Sequence, residues 1–343
     1  MKKTVLLLTA FSILSAMGGI VAEGADKTGA AMTTAAEKFL AALTPEQTKL
    51  ATRPFDDPAR QDWHNIPKPT RKGLQVKNMS PEQRHLCHDL LQAALSEPGY
   101  EKAVRIMSLE NNLLIGEKGK GPLRDPDRYF LTIFGTPAHD SQWGWSFEGH
   151  HLSLNFVINN DEVIGETPSF WGANPATVSI FIEGGPQNGT RTLADEEQLA
   201  FDLVNSLTPA QKQKCIIAEK APADYRNAGK PTPPTADKEG ISGAELTPEQ
   251  QETLWKVLKT YNAHLAPEIA DKRLNELKQD GLKDVYFAWL GSTQPGVGHS
   301  YRIQGPSFVL ELINVQSDPA GNKANHIHSV WRSLKREFGK KSS

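Results

Sequence analysis

Two stretches share one design, "GLQVKNMSPEQ" at residues 73–83 and "GISGAELTPEQ" at residues 240–250. Each places Ser or Thr before Pro and three residues ahead of Gln, which is typical of a capped helix start. The hydroxyl accepts a hydrogen bond from an unpaired backbone N–H, Gln reaches back to the cap, and Pro has no N–H to leave unpaired. "LTPEQ" at 43–47 and "LTPAQ" at 207–211 repeat the pattern. The four signatures predict four helices in two matching pairs.

The likeness continues beyond the helix starts. "RYFLTIFGT" at 128–136 matches "VYFAWLGST" at 285–293, and "WSFEGHHLSLNF" at 145–156 matches "YRIQGPSFVLEL" at 301–312. Matches in one order along the chain indicate an internal duplication. We predict a first half over residues 30–195 and a second over 196–343, packed into one globular unit. Helices followed by strands that neighbour each other in sequence predict an α+β fold with antiparallel strands.

The chain begins "MKKTVLLLTAFSILSAMGGIVAEGADK", two lysines followed by an apolar stretch and small residues. This pattern is typical of a secretory signal peptide, which we place at residues 1–25. We therefore expect an exported protein, periplasmic or extracellular, without stable membrane insertion after cleavage. A net charge of −2 gives no reason to expect a nucleic-acid partner.

The chain has two cysteines, Cys87 and Cys215. An oxidising compartment permits a disulfide between them. Their aliphatic neighbours favour the alternative, in which both are small core residues on helices.

Histidines are distributed unevenly between the halves. His150 and His151 stand where the second half has Pro306 and Ser307, so the fold does not require them. Read as part of a strand, the two point to opposite faces, with His150 beside Glu148 on an apolar face.

The second histidine group is "NHIHSVWR" at residues 325–332. A hairpin that pairs Gln316 with Asn325 places His326 and His328 on one face with Glu311. Because a buried carboxylate without a partner is costly, a cation, a His or an Arg should lie near Glu311.

These residues suggest a metal or acid/base centre. We assign His150, His326 and His328 as candidate metal ligands, and Glu148, His151 and Glu311 as candidate catalytic groups. Imidazole with carboxylate suits a divalent transition metal such as Zn, Fe or Cu. Two alternatives stay open: histidines that line a metal-free ligand pocket, and histidines with structural hydrogen bonds.

Four further features carry expectations. His299 either joins the pocket or lies in a loop, and "FWGANPA" at 170–176 is a turn-rich loop able to contact a ligand. Ser329 is expected to cap a terminal helix carrying Trp331, Leu334 and Phe338. The remaining histidines singled out here are expected on solvated helix faces: His85, His88 and His264.

Several stretches, among them "WGWSFEGHHLSLNF" (143–156), "HSYRIQGPSFVLELINVQ" (299–316) and "NHIHSVWRSLKREFG" (325–339), together resemble a family catalogued as a domain of unknown function, number 3500. The resemblance spans nearly the whole mature chain and implies no established activity. Two functions remain as hypotheses. The first is a metal-assisted enzyme, hydrolysing or oxidising a small molecule at a His/Glu site between the halves. The second is a periplasmic or secreted protein that binds a small-molecule ligand without chemistry.

Overall fold

A computed structural model describes residues 27–180, 182, 185–235 and 237–340. The predicted signal peptide lies outside these residues. Among the helices that are described, none is both long and apolar enough to span a membrane. The α-helices are α1 Lys27–Ala41, α2 Pro45–Ala51, α3 Pro81–Ala94, α4 Glu97–Gly116, α5 Ala194–Ser206, α6 Pro209–Cys215, α7 Pro248–Asn262 and α8 Pro267–Asp280.

The helix starts are built as the sequence predicts. Thr44, Ser80, Thr208 and Thr247 each cap a helix with a reciprocal Gln contact. The capping glutamines also meet in pairs across neighbouring helices. Nε2 of Gln47 donates to Gln83 in the first half (2.9 Å), and Nε2 of Gln211 donates to Gln250 in the second (2.8 Å). One local design therefore joins two helix starts in each half.

The strands form one mixed sheet. They are β1 Thr52–Arg53, β2 Leu74–Gln75, β3 Phe130–Phe134, β4 Gln142–Gly149, β5 Leu152–Asn159, β6 Glu162–Gly165, β7 Ser169–Ala173, β8 Ile216–Ala218, β9 Ile241–Ser242, β10 Tyr286–Gly291, β11 His299–Gln304, β12 Phe308–Asn314 and β13 Ile327–Ser333. Their order is β1-β3-β4-β5-β7-β13-β12-β11-β10-β8, with β2, β6 and β9 beside β3, β5 and β10. All neighbours from β3 to β10 are antiparallel, so the predicted α+β class is confirmed.

The strand order reads alike from both edges. Each half begins with a short strand parallel to its neighbour, continues through an antiparallel meander, and ends at the centre, where β7 pairs with β13. This succession is what a duplication produces. The duplication itself and the proposed boundaries stay predictions, for which superposition of the two halves is the test.

The two faces of the sheet are covered differently. The helices pack on one face over a large apolar core that includes Trp145, Leu154 and Trp331. Two Pro-rich segments cover the other face, and we name them connector 1 (residues 54–73) and connector 2 (residues 220–235). They enclose a smaller core, to which Trp63 of connector 1 and Tyr225 of connector 2 contribute. The Trp63 indole donates to the Lys230 carbonyl, 2.9 Å away, so the connectors contact each other.

Two predictions of local structure are wrong. The terminal helix expected after Ser329 does not form in the described residues, because β13 continues to Ser333 and only a short 3₁₀ turn follows at Glu337–Gly339. Most of "FWGANPA" is likewise strand rather than loop, because β7 pairs with β5 on one side and β13 on the other. In both stretches the ladder hydrogen bonds of a central strand outweigh the local turn and cap signals.

Cys87 and Cys215 are buried and unpaired, in keeping with the core assignment. Burial raises the pKa of each thiol to about 12.

Candidate metal centre

Three imidazoles converge at the seam between the halves. His151 comes from the turn between β4 and β5, His326 immediately precedes β13, and His328 lies in β13. Nε2 of His326 lies 2.8 Å from Nε2 of His151 and 3.1 Å from Nε2 of His328. One nitrogen from each ring lies within 4.8 Å of the others, so the three can hold a metal ion. We call this group the histidine triad.

His150 and His151 form a two-residue turn rather than part of a strand. Gly149 and Leu152 are the last paired residues of β4 and β5, and His151 adopts a φ of 62°. The expected alternation of faces is therefore wrong for this pair, and their rings stack with centroids 3.7 Å apart. The turn is fixed by backbone bonds, from His151 N–H to the Asn65 carbonyl and from Gly172 N–H to the His151 carbonyl (2.9 and 2.8 Å).

The hairpin register positions the other two ligands. Asn325 N–H donates to the Gln316 carbonyl at 3.1 Å, which is the pairing predicted from the sequence. Ile313 then lies opposite His328, and His326 and His328 share a face of β13. The His326 N–H donates to the Asn314 side chain, 3.0 Å away, and so anchors the first residue of the pair.

A glycine makes room for the triad. Gly172 of β7 lies directly opposite His328 in the sheet. A Cβ at this position would stand 3.0 Å from Cδ2 of His151 and 2.9 Å from the Ile327 carbonyl oxygen. Both distances are shorter than ordinary van der Waals contacts. Glycine here allows the His151 ring to lie over the strand.

Two polar side chains hold the outer nitrogens of the triad. Nδ1 of His328 lies 2.9 Å from Oδ1 of Asp224 in connector 2, an arrangement typical of metal-binding histidines. Nδ1 of His326 lies 3.3 Å from the amide of Asn174, whose Oδ1 is buried without a partner. Exchanging the amide N and O lets Asn174 accept from His326 Nδ1–H and satisfies that oxygen. Both contacts place the proton on Nδ1 and leave Nε2 with its lone pair.

The surroundings disfavour protonation of His326 and His151. Burial, with the neighbouring His328, His150 and Arg124, lowers the pKa of His326 to about 2. Burial likewise lowers the pKa of His151 well below its usual value, and the other histidines add to the shift. Neutral imidazoles are the form that binds metals.

The sequence predicts His150 as a metal ligand and His151 as a catalytic group, and the structure places the two rings differently. His151 belongs to the triad, whereas Nδ1 of His150 faces away from it, 2.5 Å from Oε1 of Glu110 and 3.0 Å from Nη1 of Arg124. Burial lowers the pKa of His150, although its bond to Glu110 opposes the shift. His150 thus supports the His151 ring by stacking.

The two predicted carboxylates lie in ion pairs. Glu148 contacts Lys72 at 2.8 Å. Glu311 contacts the Nε atoms of Arg226 and Arg302 at 2.8 and 3.0 Å, which agrees with the expectation of a cation beside it. In the described part of the chain, the metal-capable group contains no carboxylate. Neither Glu148 nor Glu311 is therefore placed as a ligand.

The other histidines are dispersed. His264 is buried, with Nε2 2.7 Å from Glu196 and 2.8 Å from Nζ of Lys102, so its expected solvation is wrong. His299 is buried against Trp289. His85 is exposed, as expected, and His88 is half-buried and bonded to Tyr100.

Sequence reasoning missed Asp224, and it singled out "FWGANPA" without giving Gly172 or Asn174 a role of its own. Asp224 lies in a Pro-rich connection, and its partner His328 is 104 positions away in the chain. The chain offers no local motif for such a contact, because it depends on how connector 2 lies over the sheet.

Comparison with known proteins assigns the chain to a family whose function is not established. The profile of the family described as a protein of unknown function (DUF3500) matches residues 25–340. The chain therefore belongs to this family, as the resemblance predicted. No curated protein and no solved structure matches it.

Proposed function

We propose that this protein binds one divalent transition metal, Zn²⁺ in the first instance, through Nε2 of His151, His326 and His328, and uses it to hydrolyse a small molecule. The observation that carries the proposal is the contact between His326 and His328. Asp224 and Asn174 hold their Nδ1 protons, so two Nε2 lone pairs face each other 3.1 Å apart. Two lone pairs repel at this distance, and a cation between them turns the repulsion into attraction.

The spacing of the nitrogens is close to that of a three-imidazole site. Zn–N bonds of about 2.0–2.1 Å in a tetrahedron separate neighbouring nitrogens by about 3.3 Å. The two separations that involve His326, 2.8 and 3.1 Å, reach this value when the rings spread by half an ångström or less. The third, between His151 and His328, is no more than 4.8 Å. His326 is the most accessible of the three, being half-buried where the others are buried, and gives solvent a path to the centre.

The ligand set favours hydrolysis. A metal held by three neutral imidazoles keeps its full charge and an open position, where it lowers the pKa of a bound water to about 7. Asp224 orients His328 and increases its basicity as a ligand. We assign no role to Glu148 or Glu311, because Glu148 is ion-paired with Lys72 and Glu311 with two arginines.

Metal content tests the proposal. Purified protein, incubated with zinc and then passed through a desalting column, should contain one zinc per chain by mass spectrometry. His326→Ala combined with His328→Ala should contain none. His139→Ala is the matched control, because His139 is exposed and contacts Asp161 outside the triad. Folded wild-type protein that stays free of zinc, iron and copper after such incubation contradicts the proposal.

We also propose that the protein is exported from the cytoplasm. The motivation is the amino-terminal pattern, two lysines followed by an apolar stretch. Expression of the full chain in a Gram-negative host should release it on osmotic shock, with a new N-terminus near residue 26. Full-length protein retained in the cytoplasm would exclude export.

A further inference from the structure

A cavity lies at the end of β12 on the helix-covered side of the sheet, whereas the triad imidazoles lie on the connector side. Its volume is about 370 Å³, within the range of small-molecule sites. It lies between the chain after β7, the start of α5, the β10–β11 loop and the segment that precedes β13. Polar side chains dominate its lining, among them Arg191, Lys323, Gln198 and Thr177.

A buried carboxylate organises the cavity wall. Glu197 accepts hydrogen bonds from Asn314 and Arg191, both at 2.7 Å, and its Oε1 lies 3.2 Å from Nε2 of His299. Burial alone raises the pKa of Glu197, but the bonds from His299 and Asn314 outweigh burial, so the pKa lies below its usual value. The ionised Glu197 fixes the guanidinium of Arg191.

Arg191 is also held by its backbone, which bridges Thr177. Glu197 uses Nη2 of Arg191, and the guanidinium has further N–H groups able to donate. Lys323 adds a second positive charge at the rim. Among the described lining residues Glu197 is the sole carboxylate, and the buried Asp318 lies behind the lining, where it accepts a hydrogen bond from Asn325. A fixed Arg beside a Lys suits an anion with several oxygen acceptors.

Two asparagines complete the cavity wall. Asn314 lines the cavity, and its Oδ1 accepts the His326 N–H at 3.0 Å. Asn325, the residue before His326, lines it too and is fixed through bonds to Thr177. Both side chains are therefore held in place before a ligand binds.

We infer that this cavity binds a small anion, a carboxylate or a phosphate group, through Arg191 and Lys323. The inference stands on the cavity alone and is independent of the proposed function.

The experiment is calorimetric titration of zinc-free and zinc-loaded protein with inorganic phosphate and with succinate, at constant ionic strength. Saturable binding of one anion per chain is expected, and the preferred anion identifies the chemical source. Arg191→Ala should weaken binding by about tenfold or more, since a hydrogen bond to a charged group is lost. Arg191→Lys should recover part of the affinity. Lys220→Ala removes an exposed lysine outside the cavity and should leave binding unchanged.

Lys323→Ala changes an exposed loop residue, where folding is not affected, and should also weaken binding. No saturable heat up to about 10 mM anion, or equal affinity in wild type and both cavity variants, overturns the inference. Anion affinity should be the same with and without zinc, because the cavity contains no triad residue. Urea denaturation of Arg191→Ala checks that this variant is folded, so that its loss of anion binding reports on the cavity.

Discussion

Gly172→Ala tests whether the triad geometry governs metal binding. The new Cβ would stand 3.0 Å from Cδ2 of His151 and 3.1 Å from Cε1 of Phe170. Carbon atoms in packed proteins meet at about 3.5–4.0 Å, so the His151 ring must withdraw by about 0.5–1 Å. Metal–ligand distances tolerate about 0.2 Å. The methyl group should therefore remove His151 as a ligand.

The size of the effect follows from that displacement. Disturbing a group that merely orients a ligand lowers metal affinity by about 10–100-fold, so displacing a ligand itself should cost about 100-fold or more. The same overpacking should lower the free energy of unfolding by about 1–3 kcal/mol. Zinc affinity is measured by competition with a chromophoric chelator, and stability by urea denaturation of the metal-free protein.

Two controls separate the ring from the backbone. Gly298→Ala is the matched control, because a Cβ there lies 3.7 Å or more from its neighbours and should leave zinc affinity unchanged. The double variant Gly172→Ala, His151→Ala lacks the ring that clashes with the new methyl group. Its loss of unfolding free energy should therefore be smaller than the sum of the losses in the two single variants. A Gly172→Ala protein that binds zinc within about twofold of wild type refutes the geometric reasoning.

Three further predictions concern pH, charge and thiols. His326 has a folded pKa of about 2 against 6.5 for the free side chain, so the unfolded chain binds the extra proton. Metal-free protein should therefore lose about 1.4 kcal/mol of stability per pH unit for this proton as the pH falls below about 6.5, and His326→Ala should flatten the curve measured by urea denaturation. Glu311→Gln leaves Arg226 without its carboxylate, although Arg302 keeps its contact with Glu239, and should cost about 3 kcal/mol. Zinc content should stay at one per chain, and loss of zinc would show that Glu311 takes part in the metal centre. Cys87 and Cys215, with pKa values of about 12, should react with an aromatic disulfide reagent only after denaturation; rapid labelling of native protein would contradict their burial.

The sequence predicted the features that local chemistry determines. The helix caps at Thr44 and Ser80 need only residues three positions apart, and both form. The pairing of Gln316 with Asn325 follows from the turn-rich stretch between them and the alternation of the flanking strands. Because this register is set locally, the amino-acid pattern alone places His326 and His328 on one face.

Features that depend on distant contacts were not predictable. "GHHL" lacks the Asn-Gly or Asp-Gly signal of a two-residue hairpin turn, so His150 and His151 resembled strand residues. Their turn exists because β4 and β5 continue in register on both sides of it. His264 looked like an exposed helix residue because its partners, Lys102 and Glu196, lie 162 and 68 positions away.

The connectors explain why the site lies on the face of the sheet away from the helices. That face carries charged groups, and connector residues neutralise them: Lys72 contacts Glu148, and Arg226 contacts Glu311. Asp224 belongs to the same layer, so one segment supplies both the cover of the sheet and the outer partner of His328. A metal bound at the triad interacts favourably with the charge of Asp224, and binding and docking of connector 2 are then thermodynamically linked. Proline restricts the conformations of the unfolded connector, so less conformational entropy is lost when the connector docks on the sheet. A Pro-rich sequence therefore suits a segment that is held by few apolar contacts.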